Sequence, residues 1–270
     1  MLTLKENFTF MLRKLYSDNG YKLFRMSRFE EYDFYADKKD FLSSKSILTF
    51  TNPDGRLMAL RPDVTLSLIK HAGNGKFHYN ENVYRVPRTS SSFREISQSG
   101  VEIIGDVNAD DVTGLLRLAL SSLEIIAGEK NYILVMADAG QILEILGENF
   151  NPQIIECISG KNIHGLKELN VSKKLIGLCG LNGNAENSLP FLRNDTADII
   201  RKLPQKHLRV DFSVADNLRY YNGIVFKGFI DGVPEAVISG GEYNIMGVKG
   251  AGFAVYLDFT GKYHTGKYHD

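Results

Sequence analysis

Cysteine is scarce in this 270-residue chain: Cys157 and Cys179 are the two copies, and they stand in no metal-ligand spacing. Nor do the six histidines, His71, His78, His164, His207, His264 and His269, cluster in sequence, and none reads as a metal ligand, so no metal or other cofactor is expected. No apolar run reaches the length of a membrane span, and the opening MLTLKENFTF lacks the basic-then-apolar order of a secretion signal. A cytoplasmic protein with reduced thiols and no membrane contact is expected. Net charge is absent too. Lys plus Arg and Asp plus Glu are 32 each, which argues against a chain whose main work is neutralising nucleic-acid phosphates, so no nucleic-acid partner is expected. Gly240, Gly241, Gly247, Gly250 and Gly252 do not match a phosphate-binding loop and read as turn and close-approach glycines.

What the chain does have is 43% hydrophobic and 24% charged residues, enough for one large domain or a domain with an insertion. Its most informative stretch runs from Tyr84 to Gly105. From Ser97 to Ile104 the residues alternate as in a strand, with Gln98, Gly100, Glu102 and Ile104 on one face. Gln98 and Glu102 would lie roughly 13 Å apart at about 3.3 Å per residue, with Gly100 leaving the space between them open. A small polar molecule could lie on that floor. Just before it, Thr89 and three serines sit among Arg85, Arg88 and Arg94, and arginine suits carboxylate or phosphate recognition.

Apolar residues at helical spacing predict helices over Leu4–Tyr16 and Asp110–Ala127. Ile47–Phe50 and Leu57–Leu60 flank the turn Asn52-Pro53-Asp54-Gly55 and predict a hairpin, and 29–45 reads as a surface loop or lid. Asp63, after Pro62, is placed to cap a helix over Val64–His71, a role that competes with ligand binding for one carboxylate. Ile133–Met136 reads as a strand, and about 137–204 as a helical insertion. Late strands are expected over His207–Val214, Tyr220–Ile230, Glu235–Ser239 and Gly252–Phe259, with the glycine-rich GGEYNIMGVKGAG as a turn. The sum is an α+β fold with a largely antiparallel sheet.

Three stretches in order carry a family resemblance. LRPDVT, REISQSGVEIIG and the series YYNGIVFKGFI, AVISGGEYNIMG, GFAVYL resemble the LRPEGT, motif 2, RGLDYYNxTVFE, GGRYDGL and GFAxGLER elements of histidyl-tRNA synthetases. The likeness covers about residues 1–260. It implies a class II aminoacyl-tRNA synthetase-like domain with helices flanking the sheet, a tail over 261–270 and no anticodon-binding domain. The helix-and-strand opening is similar to motif 1, which implies a homodimer. Carried over residue by residue, the histidine contacts are Asp63, Thr65, Gln98, Glu102, Tyr221 and Tyr243. Glu102 would accept one imidazole N–H, Tyr221 or Tyr243 would meet the other nitrogen, and Asp63 or Gln98 would take the α-ammonium group. Tyr220 and Tyr221 are adjacent on the expected strand, so one is expected to face the pocket and the other the core.

Departures from the pattern bear on activity. The arginine that opens RGLDYYN falls on Asp216, its aspartate on Arg219, the motif 3 arginine on Phe259 and the acidic residue two after the motif 2 arginine on Pro87. Adenylate formation needs cations on the phosphates, so its loss is expected. The ligand carboxylate then lacks its usual partner, with Arg85 or Arg94 as the substitute. The resemblance extends to the regulatory subunits of ATP phosphoribosyltransferase, which complex with a short-form catalytic subunit and make the first step of histidine biosynthesis histidine-sensitive. That implies a non-catalytic subunit with histidine as ligand; a single-domain enzyme activating histidine with ATP is the alternative.

Overall fold

The computed structural model describes residues 2–36, 46–86 and 92–258. The chain divides into two compact units, one of residues 1–104 with 254–270 and the other of residues 105–253.

The first unit opens with helix α1 (Leu4–Asp18). Thr3 and Glu6 form a reciprocal capping box at its start, and Phe8, Leu12 and Tyr16 are its buried stripe. Strand β1 (Lys22–Leu23) follows, then β2 (Phe29–Glu31), helix α2 (Asp33–Ala36), β3 (Thr49–Thr51), β4 (Leu57–Leu60), helix α3 (Val64–His71), and the long strands β5 (Gly75–Arg85) and β6 (Arg94–Ile104). β5 and β6 pair antiparallel over eleven registered positions, from Gly75 opposite Ile104 to Arg85 opposite Arg94, and β1 runs parallel to β5. β2, β4 and β3 form a separate small antiparallel sheet in that order.

The β3–β4 hairpin stands where turn chemistry predicts it: Asn52 accepts the Asp54 and Arg56 N–H groups, and Gly55 takes a φ of 81°. The expected surface loop or lid over 29–45 is different. Phe29–Glu31 is a strand and Asp33–Ala36 a helix, because Glu30 turns inward, 4% exposed, to accept hydrogen bonds from Tyr35 and Ser67. Residues 37–45 of that expected loop lie outside the described residues.

The second unit begins with α4 (Ala109–Ala127), capped by Asn108 and Asp111, and continues with β7 (Tyr132–Asp138). A mainly helical stretch follows: α5 (Ala139–Leu146), α6 (Pro152–Ser159), α7 (Ile163–Glu168), α8 (Lys173–Cys179), the short strand β8 (Asn182–Asn184), α9 (Ala185–Ser188) and α10 (Asn194–Arg201). Then come β9 (Leu208–Asp211), β10 (Tyr221–Ile230), β11 (Ile238–Ile245) and β12 (Val248–Tyr256), the last reaching into the first unit's residues. Strand order is β12-β11-β10-β7-β9-β8, with β7–β9 parallel and the β11–β10–β7 and β9–β8 pairings antiparallel.

The expected 207–214 strand ends early, at Asp211, where the Asp211 carboxylate takes the Ser213 N–H and starts a short 3₁₀ turn. The expected 235–239 strand and glycine-rich turn are instead a hairpin. β11 and β12 meet at Met246 and Gly247, whose φ angles of 57° and 82° suit a tight two-residue turn. The other glycines sit within the strands because neighbours close over them: a Cβ on Gly240 would lie 2.3 Å from the Gly252 carbonyl oxygen.

Candidate ligand site

In the first unit the sequence-derived residues converge from two elements. Asp63 is extended and its Oδ1 accepts the Leu66 N–H at 2.9 Å, so it does cap α3. Two residues on, in the first turn of α3, Thr65 Oγ1 donates to Glu102 Oε1 of β6 at 2.7 Å. Glu102, Gln98 and Thr65 are 3%, 5% and 9% exposed, so the polar face of β6 is enclosed rather than a wetted sheet surface. The hydroxyl uses one of a carboxylate's roughly four acceptor positions.

Tyr79 is a residue that sequence reasoning missed. It stands directly opposite Gly100, which puts it on the same face as Gln98 and Glu102. Burial holds its phenol well above the usual tyrosine range, and the nearby Glu102 and Asp63 carboxylates push it further. The signal that could have found it is the pairing itself: a glycine on one strand invites a large ring from its neighbour.

Arg61 was passed over as well, although it opens the RPDVT element. Its guanidinium is fully buried, donating to Glu81 Oε2 at 2.6 Å, Ser27 O at 2.8 Å and Asn82 O at 2.9 Å. Glu81 in turn is the cross-strand partner of Gln98. Arg85 is half-buried at the end of β5 opposite the exposed Arg94, and Ile47 forms a bridge to it. Arg88 and residues 89–91 lie outside the described residues.

In the second unit Tyr221 of β10 is registered with Tyr243 of β11, beside a bulge in the ladder. Tyr243 is 3% exposed, and its ring occupies the space over Gly250, where a Cβ would lie 2.5 Å from the Tyr243 hydroxyl. The expectation that Tyr220 or Tyr221 points into the core is not met. Both are half-buried, since Tyr220 belongs to a turn closed on the Asn217 carbonyl, and its ring lies 4.8 Å from Tyr221 and 5.9 Å from Tyr243.

Asp216 forms an ion pair with Lys227 at 2.7 Å. These are the positions where RGLDYYNxTVFE has its opening arginine and closing glutamate, so both charges are reversed and the pair is closed on itself. Deeper in the same unit, Arg193 grips the buried Asp138 with two hydrogen bonds, 2.8 and 3.0 Å, and Thr196 adds a third at 2.7 Å. Glu242 accepts the Ile224 N–H at 2.7 Å; burial raises its carboxyl above the usual range, against the pull of that hydrogen bond. Among the described residues no three His, Cys, Asp or Glu side chains form a group that could hold a metal ion.

Residues 3–259 match the sequence model of the family described as histidyl-tRNA synthetase. The chain belongs to the histidyl-tRNA synthetase family. Within it, the chain is similar to ATP phosphoribosyltransferase regulatory subunits: 26% identical to that of Clostridium botulinum (strain Langeland), over 94% of this chain and 71% of the relative, and 27% identical to that of Clostridium kluyveri, over 92% and 75%. Two solved structures share its fold. One, from Bacillus halodurans C, is described as an ATP phosphoribosyltransferase regulatory subunit/histidyl-tRNA synthetase (TM-score 0.80, 21% identity, 96% of this chain and 78% of that one). The other is from the Thermotoga maritima ATP phosphoribosyl transferase (HisG:HisZ) complex (TM-score 0.77, 18% identity, 95% and 98%). The class II synthetase-like α+β architecture is thereby the family's own.

Proposed function

We propose that this chain is a non-catalytic regulatory subunit of ATP phosphoribosyltransferase, working in the cytoplasm with a short-form catalytic subunit and binding histidine as the feedback signal of histidine biosynthesis. The Asp216–Lys227 ion pair carries the reading. An adenylating synthetase needs a free cation where the family pattern has its arginine, and losing one such group costs several powers of ten in rate. Here a carboxylate holds that position and Lys227 is engaged with it.

The histidine half of the reading rests on the enclosed polar face. Glu102, oriented by Thr65, accepts one imidazole N–H; Asp63 or Gln98 meets the α-ammonium group; and Arg85 meets the carboxylate. Asp63 serves both as cap and as ligand, since Leu66 takes only its Oδ1. Regulation follows if histidine binds one quaternary state of the complex better than the other, because only differential affinity shifts an equilibrium. A homodimer within the hetero-oligomer fits α1, whose Phe10 and Met11 are 65% and 47% exposed.

Calorimetric titration tests the pocket. L-Histidine is expected to bind, Glu102→Ala to abolish binding, and L-histidinol, which lacks the carboxylate, to bind more weakly. Unchanged binding in Glu102→Ala would remove the pocket from the proposal.

A further inference from the structure

Arg61 lies outside the set of ligand contacts, yet it is among the largest fully buried side chains of the protein. A buried guanidinium is costly unless its charge is met by well-made contacts, and although Nε has no hydrogen-bond partner both terminal nitrogens do. Here the contacts join three separate pieces of one unit. Nη1 donates to Ser27 O, while Nη2 donates to Glu81 Oε2 and Asn82 O. The Arg61 backbone is held as well: its N–H donates to Arg28 O at 2.9 Å, and its carbonyl accepts from Tyr84 N at 3.0 Å.

These contacts lie at a junction. Pro62 fixes the next φ angle, Asp63 caps α3 one residue later, and Thr65 reaches Glu102 from the first turn. On the other side, Glu81 stands opposite Gln98 and is neutralised by the guanidinium instead of lying as a bare carboxylate beside it. We infer that Arg61 is the positioning residue of the histidine site: its fork sets the start of α3 against the β5–β6 face, so that Asp63, Thr65, Glu102 and Gln98 meet one ligand. Lysine cannot replace it, because a single ammonium group cannot reach the carboxylate and both carbonyls in that planar geometry.

This rests on the histidine reading of the pocket, and the test separates the two. Histidine affinity is measured, well below the melting temperature, for the native chain, Arg61→Lys, Asp63→Asn and the double variant, alone and with the catalytic subunit. Arg61→Lys keeps the charge opposite Glu81 and is expected to fold, with histidine binding weakened about tenfold or more, since small misplacements of ligating groups are costly. Asp63→Asn is expected to weaken binding about tenfold in the native background and less than about threefold in Arg61→Lys, because the carboxylate is already misplaced there. A purely structural arginine would lower the melting temperature and leave the Asp63 effect the same in both backgrounds. Should Arg61→Lys fail to fold, Arg61→Met with Glu81→Gln removes both charges of the pair and is read in the same way. Native-like affinity in the folded Arg61 variant, or equal Asp63 penalties, would overturn the positioning role and leave the pocket standing. Absence of histidine binding by the native chain in both settings would overturn both.

Discussion

Thr65 and Glu102 are the two side chains whose contact is most specific to a ligand site: a buried carboxylate oriented by a hydroxyl 37 positions away in sequence, 2.7 Å distant. Thr65→Val removes the hydroxyl and with it this contact to Glu102. A hydrogen bond to a charged group is worth roughly 1.5–3 kcal/mol, so histidine binding should weaken by at least about tenfold, measurable by calorimetry. An unchanged affinity would mean Thr65 only fills space. At this scale the sequence made Glu102, Gln98 and Asp63 legible, since alternation and the family pattern both point at them. Arg61 and Tyr79 were not legible, because their roles depend on which strand lies opposite which. The Asp216–Lys227 pair was half-visible: the pattern exposed Asp216, but only the fold brings Lys227 to it.

At the scale of elements, α3 owes its start to Asp63, which the proposed site also uses. Asp63→Asn retains the cap and removes the charge, whereas Asp63→Ala removes both. Urea denaturation should therefore show a loss of about 1 kcal/mol for alanine and little for asparagine, while histidine binding falls in both. A stable, histidine-binding asparagine variant would confine Asp63 to capping. The packing of α1 on β5 carries a pH dependence. His78 is buried, meets Ser17 Oγ of α1 at 3.2 Å, and burial and then the Arg13 charge lower its pKa. The unfolded chain therefore takes up that proton first as pH falls, so this contribution is complete above the ordinary histidine value of about 6.5 and is lost as pH drops through the lowered one. Denaturation midpoints measured from pH 7.5 to 5 should fall in the native chain and less in His78→Gln; equal slopes would contradict it. Helices α1, α3 and α4 and the β3–β4 hairpin were readable from periodicity and turn residues. The β11–β12 hairpin was not, because GGEYNIMGVKGAG read as a turn throughout, whereas the turn is confined to Met246 and Gly247 and the close approach expected of Gly240 and Gly250 occurs within the strands.

On the scale of the whole molecule, the family's architecture is retained while the charges that serve adenylation are reversed or absent. Composition alone argued against partners rich in phosphate charge, but it could not nominate a protein partner; the ordered motifs did that, through relatives that carry the regulatory-subunit name. The purified chain is expected to give no histidine-dependent ATP–pyrophosphate exchange. The most direct measurement is phosphoribosyl transfer to ATP by a short-form catalytic subunit from the same organism, assayed with and without this chain and across a histidine titration. The account predicts that the chain raises activity and that histidine then inhibits, with the inhibition lost when Glu102→Ala replaces the native chain. Activity indifferent to the chain, or histidine inhibition of the same strength without it, would contradict the regulatory role.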